Sequence, residues 1–103
     1  MNVIRAWRAD PSGTPLGGLV VVQEIFGANA HMRSVAERFA AEGHVAVVPA
    51  MFDPVESGIE LGFDQDGSAK GRELAAALGF DRAVAIIDAA ARLLRAFFGE
   101  HLR

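Results

Sequence analysis

The sequence contains no cysteine. Disulfides, thiolate metal sites and a cysteine nucleophile are therefore excluded from this chain. Lysine occurs once, at Lys70, and the arginines are scattered; the formal net charge is −3. Without a basic patch the surface carries no electrostatic footprint for nucleic acid. No apolar run approaches the roughly 18–20 residues of a membrane span. The opening segment MNVIRAWRAD places charges at Arg5, Arg8 and Asp10 and has no apolar stretch of signal-peptide length. These absences predict a cytoplasmic protein with neither nucleic acid nor membrane as partner. There is also no G-x-G-x-x-G and no P-loop. None of Ser12, Ser34, Ser57 and Ser68 lies in G-x-S-x-G. His31, His44 and His101 share no metal-like spacing. Asp64-x-Asp66-x-Ser68 has the look of a calcium loop, but its sixth and twelfth positions are Ala69 and Ala75, which rules that reading out. The chain is expected to hold no metal and no cofactor, with His31 and His44 as surface or capping groups.

What is present describes a folded globular chain: 103 residues, 51% hydrophobic and 22% charged. That length makes one domain or less and buries about 60–65% of its unfolded surface. Val3 to Ala9 alternates weakly and reads as a short or edge strand. Leu19 to Val22 is an unbroken apolar run, suited to a strand covered on both faces, and is expected to continue to about Ile25. From Ala30 to Glu42, apolar residues Met32, Val35, Ala36, Phe39 and Ala40 recur at helical spacing, with Asn29 as N-cap and Gly43 as left-handed C-cap. Val45 to Val48 is a second buried strand ended by Pro49. Strand, helix, strand with tight connections is a right-handed βαβ unit. Met51 to Lys70 has no clear period and reads as a long loop with room for a helical turn. A helix follows from Gly71 or Arg72 to Leu78, and after Gly79 a second one capped by Asp81 and closed by Gly99.

Glu24 stands out because it falls where an apolar parallel strand should end, and ligands bind at the carboxyl ends of such strands. Between Val22 and Ile25 it would be partly desolvated, which tunes a carboxylate toward general-base work. The plainer reading is a strand-end acid in a local ion pair. Gly27-Ala28-Asn29 before a helix suggests an anion site without the glycine fingerprint of a nucleotide binder. Arg72, beside Glu73 at a helix start, either clamps a carboxylate or is a solvated helix residue. No nucleophile, base and orienter can be assembled from this chain.

At VVVQEIFGANAHMRSVAERFAAEGHVAVVPAMFD the chain resembles the dienelactone hydrolase family, the carboxymethylenebutenolidases of the α/β-hydrolase superfamily. The resemblance covers most of Trp7 to Ala91. Its most specific part is Gln23 to Gly27, followed by Asn29, Arg33, Ala41-Glu42-Gly43 and Pro49, with Gly71-Arg72-Glu73 and Gly79-Phe80-Asp81 less specific. It implies an α/β fold: a partial α/β-hydrolase with a parallel βαβ core, a short N-terminal strand and C-terminal helices, residues 1–103 forming one partial domain. It further implies that Glu24 takes the proton of a cysteine nucleophile. The Ile25 amide would help form the oxyanion hole, Phe26 would wall the pocket, and Arg72 would bind a substrate carboxylate. The family nucleophile, aspartate and histidine have no counterparts here. The expectation is thus the N-terminal half of a lactone or ester hydrolase, silent by itself, acting on a small-molecule lactone or ester only if completed. A bare edge on strand Leu19–Val22, and a helix whose Phe97 and Phe98 have less to cover them, predict self-association or pairing with a complementary C-terminal half. The alternatives are a non-catalytic assembly or binding module using the exposed sheet edge, and a flavodoxin-like fold that binds an anion.

Overall fold

The computed structural model describes residues 4–101. Three short strands, β1 (Ala6–Ala9), β2 (Gly17–Val20) and β3 (His44–Pro49), form one sheet in the order β1-β3-β2. β3 is central, antiparallel to β1 with Trp7 opposite Val48, and parallel to β2 with Leu19 opposite Ala46. Its uninterrupted apolar run suits burial on both faces. Ala46 and Val48 face helix α1 (Ala30–Ala41), joining Ala9, Met32, Ala36 and Ala40. Val45 and Val47 face the other way, onto Leu94, Phe97 and Phe98 of helix α3 (Phe80–His101). The period-two alternation of a strand thus builds a helix–sheet–helix sandwich.

The β2–α1–β3 crossover is closed by local signals. The Asn29 side chain accepts from the Met32 amide at 3.0 Å, satisfying an orphan helical donor. Gly43 follows the helix with φ +102°, a conformation that lets the chain reverse into β3.

The expected strand over Leu19–Val22 and onward to Ile25 is shorter and displaced. β2 begins two residues earlier and ends at Val20, with one further rung from the Val21 amide to the Val47 carbonyl at 2.8 Å. The next rung on that side would need an N–H from residue 49, and Pro49 has none. β2 is an end strand, and among the described residues no strand pairs with its outer edge. The expected strand over Val3–Ala9 is found at Ala6–Ala9, with Val3 outside the described residues.

Helix α2 (Gln65–Leu78) starts well before the expected Gly71 or Arg72, because the Asp64 side chain caps it by accepting from the Gly67 amide at 2.8 Å. Gly67 and Gly71 dilute its apolar period, yet both are buried. A Cβ at Gly71 would overlap the Ile25 carbonyl, so only glycine lets α2 lie this close to the chain after β2. Gly79 separates α2 from α3, which starts at Phe80, one residue before the expected Asp81 cap, and runs past Gly99. Phe97 and Phe98, expected to be under-covered, are half-buried against β2 and β3, whereas Phe80, Val84 and Leu93 are exposed. A third cluster, of Met51, Phe52, Leu74, Leu78 and Ile86, ties α2 and α3 to the segment after β3.

Candidate active site

After Val21 the chain leaves the sheet and turns through Glu24, Ile25 and Phe26 before α1. Three anchors hold this turn. The Gln23 side chain accepts from the Met51 amide at 2.9 Å and donates to the Glu24 carbonyl at 3.1 Å, fastening the turn to the end of β3. The Gly27 amide donates to the same carbonyl at 3.3 Å. Gly27 forms an isolated antiparallel bridge with Glu60, and the Leu61 amide donates to the Phe26 carbonyl at 2.9 Å. The segment after β3 therefore folds back over the turn.

Glu24 is exposed, which corrects the partial desolvation expected of it. Its carboxylate makes no hydrogen bond or ion pair among the described residues, so the plain local ion pair is not found either. The Ile25 side chain is half-buried, and its backbone amide donates to no acceptor among the described residues. Phe26 is half-buried and meets the exposed Phe63 ring edge-on, with centroids 4.7 Å apart; His31 at the start of α1 lies 6.4 Å from Phe63. Arg72 is exposed on α2, and its neighbour Gly71 is the residue that touches Ile25. The fold therefore brings Glu24, Ile25 and Phe26 together and sets the helix bearing Arg72 against them, but no ion pair joins Arg72 to Glu24 among the described residues. No cluster of metal-ligating side chains occurs among the described residues.

Across the Gly27–Glu60 bridge, a cleft of about 300 Å³ opens at the carboxyl end of β3. Trp7, Ala28 and Ile59 line it, with Arg5, Arg33 and Glu60 as its charged groups; Glu24, Ile25, Phe26 and Arg72 do not line it. Arg33 donates to the Ala28 carbonyl at 2.8 Å and to Glu60 at 3.3 Å. Arg5 grips Asp53 with its backbone amide at 2.9 Å, Nε at 3.2 Å and Nη2 at 3.3 Å. Sequence reasoning missed this pair because 48 residues separate the partners.

Burial pushes the Asp53 carboxyl up, but the Arg5 hydrogen bonds and charge, with a bond from the Gly58 backbone, outweigh it and hold the group below its ordinary value of 3.8. A carboxyl depressed in the folded state stabilises the fold above its unfolded pKa, and that stabilisation is lost as pH falls through the folded value. Asp53→Asn should therefore lower stability at pH 7 by no more than about 1 kcal/mol, because Arg5 is largely exposed and water takes up the donors that lose their acceptor. As pH falls through the depressed folded value of Asp53 the wild type and variant should converge. Urea midpoints at pH 7, 4 and 2.5 check this; a constant difference at all three would assign the effect to shape rather than charge.

A parallel β–α–β unit with a helix on each face of the sheet is a mixed α/β arrangement, consistent with part of an α/β-hydrolase-like fold. The dienelactone hydrolase family model matches residues 4–100. A protein of Synechocystis sp. named as a carboxymethylenebutenolidase is 46% identical over 56 residues, covering 54% of this chain and 23% of that protein. One of the same description from Azospirillum brasilense is 47% identical over 57 residues, covering 54% and 25%. A crystal structure described as a dienelactone hydrolase from Klebsiella pneumoniae superposes with a TM-score of 0.45 at 39% identity, covering 48% of this chain and 21% of that one. The chain belongs to the dienelactone hydrolase family. Its matched segments span about a quarter of the length of these curated relatives. No helix among the described residues is long and apolar enough to cross a membrane.

Proposed function

We propose that this chain contributes the Glu24 turn to a cytoplasmic hydrolase of small carboxylate-bearing lactones or esters, working without metal or cofactor. In this reading residues 1–103 form one part of a larger hydrolase domain. A cysteine nucleophile, an aspartate and a histidine come from outside it. Glu24 takes the thiol proton. The thiolate attacks the substrate carbonyl, and the Ile25 N–H donates to the oxygen on which charge develops. Collapse expels the alkoxide and leaves an acyl-enzyme that water hydrolyses. Phe26 walls the pocket and Arg72 pairs with the substrate carboxylate. The observation that supports this reading is the unengaged Ile25 amide beside a carboxylate that has no partner among the described residues.

The test is complementation. The chain is mixed or co-expressed with the C-terminal portion of a family relative, and hydrolysis of p-nitrophenyl acetate is followed. Hydrolysis is expected from the mixture and not from either piece. Hydrolysis by this chain alone would overturn the assignment of the nucleophile to a partner.

Among the described residues the outer edge of β2 is unpaired, which favours a second reading, a non-catalytic module that assembles through that edge with another copy. Concentration-dependent self-association, with no hydrolysis in any mixture, would select it.

A further inference from the structure

The cleft beside β1 is used by neither reading. At about 300 Å³ it lies at the small end of ligand pockets. Its inner wall is apolar: Trp7, Ala28 and Val48 belong to or pack against the α1-side core, and Ile59 closes the far side. Two guanidinium groups, on Arg5 and Arg33, border it.

Both are pre-oriented. The Arg5 fork is set by Asp53, whose side chain is 4% exposed, while Arg5 itself is 62% exposed. Arg33 is fixed by the Ala28 carbonyl and is 30% exposed. An arginine has five N–H donors. Each guanidinium spends two on the acceptors described above, so three on each find no acceptor among the described residues. The Arg33–Glu60 pair is 3.3 Å long with Glu60 half-exposed, the kind of surface pair that contributes little and opens easily.

We propose that this cleft binds a small monoanionic carboxylate carrying an apolar ring. The ring lies against Trp7 and Ile59, and the carboxylate takes the place of Glu60 on Arg33 and meets the free edge of Arg5. Asp53 already balances Arg5 and Glu60 balances Arg33, so a ligand that takes the place of Glu60 on Arg33 sets one charge against one, which matches a monoanion. A phosphate dianion would leave one charge unmatched and the apolar wall uncovered. Displacement of Glu60 makes the proposal specific, because the native acid competes with the ligand for Arg33.

Trp7 is the only tryptophan and lines the cleft, so its fluorescence reports occupancy directly. Benzoate is titrated into the whole chain, with benzamide and inorganic phosphate as comparators. Saturable change with benzoate is expected, with benzamide and phosphate weaker by about tenfold or more. Arg33→Met should weaken benzoate by about tenfold, and Glu60→Gln should tighten it by about threefold. Glu60 is exposed, so that variant serves even where Arg33→Met fails to fold. The absence of saturable change overturns the proposal. So does benzamide or phosphate binding as well as benzoate, or Glu60→Gln leaving the affinity unchanged or weaker. None of these readings depends on hydrolysis or on Glu24.

Discussion

Gly27→Val should cost about 3–5 kcal/mol and lower the melting temperature by roughly 15–30 °C. Gly27 has φ +95°, a region closed to β-branched residues without strain. A Cβ there would also overlap the Ile59 carbonyl oxygen, which is backbone and has no rotamer by which to move away. Two penalties therefore act at one position: a strained φ and a broken approach of the 59–61 segment. Domains of this size have a total stability of about 5–15 kcal/mol, so the variant should sit at the margin of folding. Any folded remainder should have lost the Gly27–Glu60 bridge and the Leu61–Phe26 bond, and with them the orientation of the Glu24 turn. Gly13→Ala is the control, because nothing lies within 4 Å of its Cβ position. It should change stability by no more than about 0.5 kcal/mol. Thermal melts by circular dichroism make the comparison. A Gly27→Val chain that melts within a few degrees of wild type would show that the approach to Ile59 is not obligatory.

Glu24→Gln should lower kcat of the complemented hydrolase by about 10²–10⁴-fold while leaving KM within about threefold. The substitution keeps the shape and removes the ability to take a proton at neutral pH. Glu24 is exposed and its carboxylate makes no hydrogen bond or ion pair among the described residues, so stability should stay within about 0.5 kcal/mol of wild type. A loss of rate with an intact fold and intact association of the two pieces would place the effect in proton transfer. An unchanged kcat would remove Glu24 from the chemistry and leave the turn as a structural feature of the sheet end.

The parts of this fold that could be read from the sequence are those in which a residue answers to its neighbours. Asn29 and Gly43 bracket α1 because capping acts within one turn of chain. The Val45–Val48 run identified β3, since a strand buried on both faces has to be apolar throughout. Pro49 was expected to end β3; it closes that strand and also shortens β2, because the N–H it lacks lies on the side facing β2. That second effect depends on register, which the apolar run Leu19–Val22 does not encode. The early start of α2 escaped notice because Gly67 and Gly71 interrupt its period. They are glycines for a tertiary reason, the close passage of the Gly62 and Ile25 carbonyls.

By itself the sequence determined the class of the protein. It carries a βαβ unit with an acid on the turn after its first strand, no thiol, no basic face, and the Q-E-I-F-G stretch that marks a dienelactone hydrolase relative. Side-chain types and short-range spacing are sufficient for these, since periodicity, capping and motif chemistry are local. Only the tertiary structure decided that β3 is the central strand and that Glu24 is exposed. Only it placed the helix of Arg72 against Ile25 through Gly71, and buried Asp53 under Arg5 beside a cleft that Arg33 and Glu60 share. Each of these rests on groups far apart in the chain, and their meeting is set by how the sheet, its two covering helices and the segment after β3 pack together.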